Sequence, residues 1–275
     1  MKKLKKKKSS KKKSGLLVVG ISFLSIGIIF GGYFFKMKSY FGLTAVEMYQ
    51  NIANPYLRNV RITEGMRKEE VIERFGKTLG WSETEKRKLL AIHSEATKGA
   101  TEGYFFPGNY VVPLRAKAPD VSKKIITAFN EEVVESNEKL KTNVINMDTA
   151  IKIASIIQRE AGSKSDMKII SGVIWNRLFE GMSLDMDATL QYAKGSKTKW
   201  WPKVVPADKY IESPFNTYKN KGLPPSAISN PGEAAIEAAL NPGKTDAFFY
   251  LHDDNGKIHT ARTYQEHLDN IERVY

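Results

Sequence analysis

One glutamate in the chain stands in line with the apolar stripe of a predicted helix. Glu160 follows Ile156 by four residues and Ile157 by three, so at helical spacing its side chain shares their face. A carboxylate on such a face is either paired or kept partly protonated, because water is excluded there. A partly protonated carboxyl can act as a general acid toward a poor leaving group such as a glycosidic oxygen. The spacing alone leaves a second interpretation open, in which a boundary glutamate turns out to solvent or pairs with a lysine.

A second acid would change the chemistry. An ordinary glycosidase needs two carboxyl groups, roughly 5 Å apart or about 6.5 to 9.5 Å apart. Asp187 is the best second candidate in the sequence, and it would favour hydrolysis. The alternative is a loop aspartate that caps or braces a turn.

Polar residues that could contact a sugar fall into two groups. Asn176 and Arg177 follow an apolar helix face and could reach a cleft. Asn216, Thr217 and Tyr218 lie in a predicted loop and could hydrogen-bond acetamido or hydroxyl groups. For each of them, bracing of the local structure is the competing interpretation.

The sequence predicts neither a metal nor a cofactor. The four histidines include no pair at i and i+4 and no zinc-ligand spacing. The segment Asp253-Asp-Asn-Gly256 lacks the rest of a calcium loop and is typical of a turn. There is also no phosphate-binding glycine loop and no Gly-x-Ser-x-Gly.

The elements that must position these residues are predicted to be mostly helical. Asp148 can cap the Glu160 helix and Gly162 can end it. A second helix is predicted after Ser165, ending near Gly181, and a short one over Ala234 to Leu240. Residues 247–259 are predicted to form a hairpin. Between these elements the chain is rich in Pro, Gly and aromatic residues, which is typical of loops that build a cleft.

A smaller module is predicted ahead of this domain. A strand at 59–65, helices at 68–79 and after Ser82, and an aromatic strand at 103–112 follow in order. The order is similar to that of a LysM-like unit, a small fold associated with glycan chains, although a structural spacer is the alternative. An amphipathic helix over Ala118 to Leu140 then begins the main domain.

The positive charge of the chain is concentrated at its N-terminus. The net charge is +13, and the first 38 residues carry 11 lysines and no acid, which leaves 13 − 11 = +2 for the remainder. The body therefore has no strongly basic character, which argues against a nucleic-acid partner. The uncharged run Leu16 to Phe35 is long enough to cross a membrane, and the lysines before it predict a cytoplasmic N-terminus with the remainder outside. A cleaved signal peptide is the competing interpretation.

Several motifs, in order, resemble the YceG/MltG family of membrane-anchored endolytic murein transglycosylases. The quoted segments are Glu102-Gly-Tyr-Phe-Phe-Pro-Gly-Asn-Tyr110, Gln158-Arg-Glu-Ala161, Val173-Ile-Trp-Asn-Arg-Leu178, Leu184-Asp-Met-Asp-Ala-Thr-Leu-Gln-Tyr192, Phe215-Asn-Thr-Tyr218 and Gly222-Leu-Pro-Pro-Ser-Ala-Ile-Ser-Asn-Pro-Gly232. Departures include Ala188 in place of the usual Pro, and His259-Thr-Ala261 in place of His-x-Phe, which leaves the role of His259 open. None of the departures touches Glu160.

The residue patterns and the resemblance together predict an α+β protein with five parts. These are a basic tail (1–15), a transmembrane helix (16–35), a membrane-proximal linker (36–56), a LysM-like module (57–115) and a mixed α/β catalytic domain (116–275). The resemblance implies that Glu160 is the catalytic acid, and it adds Thr189 and Tyr192 to the substrate-binding candidates. The implied reaction cuts peptidoglycan between N-acetylmuramic acid and N-acetylglucosamine, leaves 1,6-anhydro ends and needs no cofactor.

The location and the partners of the protein are also predicted. The resemblance implies a single-pass protein of the cell membrane that ends nascent strands beside peptidoglycan synthases of elongation or division. The alternatives are a hydrolytic muramidase and a non-catalytic, membrane-tethered scaffold that binds peptidoglycan without cutting it.

Overall fold

The computed structural model describes residues 54–135 and 146–275. The predicted basic tail, the predicted transmembrane helix and nearly all of the linker lie outside these residues. Among the described helices, none has the length and apolar character needed to cross a membrane. Residues 58–275 form one compact unit.

The first part of this unit has the predicted order of strand, two helices and strand. The elements are β1 (Leu57–Ile62), α1 (Lys68–Leu79), α2 (Glu83–Ala96) and β2 (Gly108–Pro113), with β1 paired to β2. The predicted helix ends are confirmed. Gly80 ends α1 in the left-handed conformation (φ 65°), and the Ser82 side chain accepts a hydrogen bond from Glu85 N at the start of α2. The likeness to LysM stays a prediction.

Helix α3 (Ala118–Phe129) packs on α2, and its Val121 and Ile125 are buried in the same core as Phe75, Leu89 and Phe105. It continues as a π-helical turn (Asn130–Glu135), and the rest of the longer helix predicted here, to Leu140, lies outside the described residues. The cluster that includes Val121 and Ile125, which we call the first core, therefore extends past the predicted domain boundary at residue 115.

The second core surrounds α4 (Met147–Glu160). Seven of its residues are buried, among them Ile153, Ile156 and Ile157, and α7 (Glu233–Leu240) and α5 (Lys164–Phe179) pack against it. Asn146, rather than Asp148, is the N-cap of α4, since its side chain accepts from Thr149 N at 2.8 Å. Asp148 instead pairs with Lys152 one turn later. Gly162 does not end the helix, contrary to the prediction, because Ala161 before it already has extended backbone angles.

The segment after α5 contains two helices that the sequence did not predict. Helix α6 (Asp187–Lys194) lies in the predicted loop region and contacts α4, and α8 (Tyr264–Val274) follows the hairpin. The hairpin is confirmed as β3 (Phe249–His252) and β4 (Ile258–Ala261), antiparallel, with Tyr250 opposite Thr260. A 3-10 turn (Pro206–Tyr210) completes the described elements.

Candidate active site

Glu160 is the last residue of α4, and its carboxyl lies where three elements meet. Ala188 N, in the first turn of α6, donates to Oε1 at 2.9 Å. The hydroxyl of Tyr250, from β3, donates to Oε2 at 2.9 Å. The predicted position of Glu160 beside the apolar face is confirmed, since Ile156 and Ile157 are buried in the core below it. The carboxyl is therefore fixed from both sides rather than free to turn away.

The protein around this carboxyl disfavours its charge. Burial raises the pKa of Glu160, and the nearby charge of Asp187 adds to that rise. The Ala188 N–H and the Tyr250 O–H work against it because they stabilise the ionised form. Among residues 54–135 and 146–275 no lysine or arginine forms an ion pair with Glu160. The interpretation as a lysine-paired boundary glutamate is therefore wrong.

The carboxyl opens onto a cavity of about 420 Å³. Its lining is mixed in character. The acidic groups are Glu160, Asp185 and Asp187, the basic groups are Arg177 and Lys209, and aromatic rings come from Tyr218, Phe249, Tyr250 and Tyr264. A cavity with a few polar groups among aromatic walls is typical of a small-ligand or sugar site.

Arg177 holds one side of this cavity in shape. Its Nε donates to Phe248 O at 2.6 Å, and NH1 donates to Leu184 O at 2.6 Å. NH1 also lies 3.5 Å from Asp185 Oδ2. The guanidinium thus ties the segment before α6 to the start of β3, the strand that carries Tyr250.

Asp187 and Tyr218 face the cavity as a pair. The Tyr218 hydroxyl donates to Asp187 Oδ1 at 2.8 Å, and burial together with this bond raises the pKa of Tyr218. Asp187 is the first residue of α6 and not a loop residue. The structure therefore brings four of the predicted site residues together at one cavity: Glu160, Arg177, Asp187 and Tyr218.

Three other predicted residues lie just behind the wall of the cavity. Thr217 Oγ1 accepts from Met186 N at 3.0 Å and lies 2.9 Å from Thr189 Oγ1. Asn216 Nδ2 donates to Lys209 O and Ile211 O at 3.0 and 2.8 Å. All three side chains are buried and fix the loop against the start of α6. Their role in substrate binding stays a prediction, and their observed contacts are with protein.

Asn176 and Tyr192 do not line the Glu160 cavity. Asn176 Nδ2 donates to Thr245 O and Ala247 O at 3.0 and 2.9 Å, which secures the chain ahead of β3. The Tyr192 hydroxyl donates to Glu102 Oε2 at 3.0 Å. Their contribution to substrate binding likewise stays a prediction.

Tyr250 was not predicted, although within residues 54–135 and 146–275 it is the one side chain that hydrogen-bonds Glu160. It lies in the predicted hairpin, and an aromatic run in a strand gave no sign that one hydroxyl meets a carboxyl 90 residues earlier. Three further residues that line the cavity were not predicted either: Phe249, Tyr264 and His267. His259 pairs with Asp253 at 2.9 Å across the hairpin turn. No cluster of three potential metal ligands occurs within the described part of the chain.

The model of the YceG-like family matches residues 1–273. An endolytic murein transglycosylase of Bacillus subtilis (strain 168) is 36% identical over 179 residues, which are 64% of this chain and 48% of that protein. One from Streptococcus pneumoniae (serotype 2, strain D39) is 28% identical over 185 residues, which are 66% of this chain and 34% of that protein. The chain thus matches about half of the first relative's length and about a third of the second's.

A crystal structure of a yceG-like protein from Listeria monocytogenes has the same mixed α/β fold. The TM-score is 0.68 at 26% identity, and the match covers 77% of this chain and 75% of the other.

Proposed function

Because the chain belongs to the YceG-like family, we propose that it is a lytic transglycosylase that cuts the glycan strands of peptidoglycan internally. The observation that carries the proposal is the Glu160 carboxyl, whose pKa is raised by burial and which opens onto a cavity able to hold sugar rings. The curated relatives bear the name endolytic murein transglycosylase, and they are longer than the matched part of this chain.

The first chemical step requires a protonated Glu160. Each carboxyl oxygen accepts one hydrogen bond and retains a second lone-pair position, so a proton can sit on the carboxyl without breaking either bond. With the strand in the cavity, Glu160 gives this proton to the oxygen between N-acetylmuramic acid and N-acetylglucosamine. The C1–O bond of the muramic acid breaks, and the rest of the strand leaves with a new hydroxyl group.

The second step returns the proton to Glu160. The carboxylate left by the first step removes the proton from the C6 hydroxyl of the same muramic acid, and the C6 oxygen bonds to C1. The product is a 1,6-anhydro ring, and no water is consumed. The Ala188 N–H and Tyr250 O–H stabilise Glu160 while it is ionised between the two steps, and burial favours the return of the proton.

The mass of the products tests this proposal. Purified peptidoglycan is digested with the full chain and with Glu160→Gln, and the released muropeptides are weighed. We expect products one water lighter than hydrolysed ones from the unmodified chain and none from Glu160→Gln, because the amide keeps the shape but cannot supply the proton. Cleavage by Glu160→Gln at the unmodified rate would refute the role of Glu160.

The same measurement distinguishes hydrolysis. Asp187 lines the same cavity and its charge raises the pKa of Glu160, which makes it the candidate for a second carboxyl that would act on water. Products with ordinary reducing ends, lost in Asp187→Asn, would establish a hydrolytic muramidase. Binding of strands without any cleavage would favour the scaffold.

We further propose that the run Leu16 to Phe35 anchors the protein in the cell membrane as a single pass, with residues 36–275 outside the cytoplasm. This anchor would confine cutting to nascent strands near the bilayer, next to peptidoglycan synthases. The chain has no cysteine, so Ser10→Cys and Asp254→Cys each introduce a unique thiol. In intact cells whose wall it can penetrate, a membrane-impermeant maleimide should label Asp254→Cys and leave Ser10→Cys unlabelled. Labelling of Ser10→Cys would contradict the proposed topology.

A further inference from the structure

Part of the Glu160 cavity is walled by aromatic rings that take no part in the hydrogen bonds around the carboxyl. Phe249 of β3 and Tyr264 and His267 of α8 line this wall. The His267 ring stacks on Phe249 with centroids 5.4 Å apart and 22° between the planes. The Tyr264 ring lies 5.8 Å from Phe249. The three rings form one cluster, which we call the aromatic wall.

Tyr264 is the exposed member of the aromatic wall. Its side chain is 61% exposed to solvent. Tyr250, by contrast, is only partly exposed, and its hydroxyl is hydrogen-bonded to Glu160. A large exposed ring on a cavity wall has apolar area that a ligand can cover. The Tyr264 ring is tilted against those of Phe249 and His267, and most of its surface stays exposed and open to a ligand.

The backbone beneath Tyr264 is held firmly. Tyr264 is the first residue of α8, and the Thr263 hydroxyl accepts from Glu266 N at 3.2 Å. In return, Glu266 Oε2 accepts from Thr263 N at 3.2 Å and from Arg262 N at 2.8 Å. This reciprocal cap fixes the start of the helix, so the ring is presented without a large ordering cost on binding.

The surroundings of the ring indicate the chemical class of the ligand. A pyranose ring has faces of C–H groups that lie flat against an aromatic ring, and a rim of hydroxyl and acetamido groups that need polar partners. The cavity offers both, since Lys209, Asp185 and Asp187 share it with the aromatic wall. A purely apolar ligand would remove water from these charged groups without replacing its hydrogen bonds.

We propose that Tyr264, backed by Phe249 and His267, is a stacking platform for one pyranose ring of the glycan that occupies the Glu160 cavity. This inference rests on the proposed function, because the substrate proposed there is a glycan. It adds a binding contact that is separate from the proton-transfer groups. Tyr264 is therefore a substrate-binding residue that contributes affinity and holds the register of the strand.

Binding without cleavage tests the platform. In the Glu160→Gln background, the dissociation constant for peptide-free glycan strands is measured with Tyr264→Ala, Tyr264→Leu and Tyr264→Phe added. We expect Tyr264→Ala to weaken binding roughly three- to tenfold, because the stacking of rings contributes at that level. Tyr264→Phe keeps the flat ring and should bind like the parent. Tyr264→Leu keeps apolar bulk without a flat face and should fall close to Tyr264→Ala.

The matched control is Phe179→Ala on α5. Phe179 is 76% exposed and lines a different groove, next to Trp175 and away from Glu160. We expect no change in glycan affinity from this substitution. Should Tyr264→Ala fail to fold, Tyr264→Leu carries the test alone, since it leaves the helix start apolar.

Unchanged affinity in Tyr264→Ala, parent-like affinity in Tyr264→Leu, or an equal loss in Phe179→Ala would each overturn the platform. Failure of the proposed function looks different. It appears as missing anhydro products from the unmodified chain, whereas the platform is read from binding in a background that does not cut.

Discussion

Two glutamates of this protein have the same kinds of hydrogen-bond partner, a backbone N–H and a tyrosine hydroxyl. Glu160 accepts from Ala188 N and the Tyr250 hydroxyl, both at 2.9 Å. Glu102 accepts from Lys68 N at 2.9 Å and from the Tyr192 hydroxyl at 3.0 Å. Burial raises the pKa of both, that of Glu102 to about 7. By hydrogen bonds and direction of pKa shift alone, the two carboxyls are difficult to distinguish.

Their access to ligands is different. Glu160 opens onto a cavity of about 420 Å³, whereas Glu102 is 2% exposed and has Lys68 Nζ 3.8 Å from its Oε2. A proton on Glu102 has no route to a sugar oxygen. The comparison teaches that a raised pKa marks a catalytic acid only where the group also faces space that a substrate can fill.

One short helix connects the two glutamates. Ala188, in the first turn of α6, bonds Glu160, and Tyr192, near its end, bonds Glu102. Arg67 donates from NH1 to Tyr192 O at 3.1 Å, and its guanidinium lies 3.9 Å from the center of the Tyr192 ring. The first core thereby holds the helix whose N–H group orients the proposed acid. Gly103, next to Glu102, has φ 90°, and a Cβ there would lie 2.5 Å from Ile151 of α4. The backbone at residue 103 can therefore come this close to α4 only with glycine at that position.

The largest expected effect comes from replacing each glutamate in turn. We expect Glu160→Gln to lower kcat/KM by about 10²- to 10⁴-fold or more, because it removes general acid catalysis. Glu102→Gln should change kcat/KM by less than about fivefold, since the amide can keep one of the two hydrogen bonds and α6 stays in place. The assay is release of anhydro-ended fragments at one pH. A large loss in Glu102→Gln with activity retained in Glu160→Gln would reverse the assignment.

A smaller effect should appear in the pH dependence of stability. The folded pKa of Glu102, about 7, lies above its usual 4.5, so between these values the folded chain keeps a proton that the unfolded chain has released. The contribution of Glu102 is therefore fully present below about pH 4.5 and is lost as pH rises to about 7, on the order of 3 kcal/mol in total. Glutamine does not titrate. We expect the free energy of unfolding of wild type to fall relative to Glu102→Gln between pH 5 and 8.

Urea unfolding of both proteins at pH 5, 6, 7 and 8 measures this difference directly, because groups common to both cancel. Parallel pH curves would contradict a raised pKa at Glu102. Removal of the Lys68 charge provides a second check. Lys68→Met should raise the pKa of Glu102 further, since Lys68 favours the ionised carboxyl, and the fall in stability should extend to higher pH.

The fold was predictable where a helix buries a regular stripe. The stripes of α4 and α5 predicted both helices, because Ile and Val at helical spacing need a core. Helix α6 has only eight residues and was interpreted as loop. Helix α8 was not predicted, although Thr263 and Glu266 have the spacing of a reciprocal cap that is visible in the sequence.

Four predicted site residues, Glu160, Arg177, Asp187 and Tyr218, line the cavity, but the groups that hold the Glu160 carboxyl were not predicted. Glu160 could be found because its position on a helical stripe is local information. Its partners could not, since Ala188 contributes a backbone N–H that has no signature in the sequence, and Tyr250 is 90 residues away. Asn216 and Thr217 were expected to contact sugar, yet their polar atoms bond the protein itself. Composition cannot tell a loop side chain that faces a ligand from one that braces its own loop.

The smallest expected effects come from removing the hydroxyl group of Tyr250, which bonds Glu160, or that of Tyr192, which bonds Glu102. Tyr250→Phe removes a donor that stabilises the ionised Glu160, so the pKa of Glu160 rises further and the alkaline limb of the kcat/KM profile moves to higher pH, with a rate loss of less than about tenfold. Tyr192→Phe removes the matching donor from Glu102. It should cost about 1 kcal/mol of stability and leave the alkaline limb in place.

Measured together, the two profiles decide how strongly α6 couples the glutamates. If Tyr192→Phe also moved the alkaline limb, the loss of one bond near the end of α6 would be felt at the Ala188 N–H, and Glu102 would act on catalysis through that helix. If only Tyr250→Phe moves it, α6 behaves as a rigid support. We expect the second result, because the Arg67 guanidinium still holds Tyr192 through its carbonyl and its ring when the hydroxyl is gone.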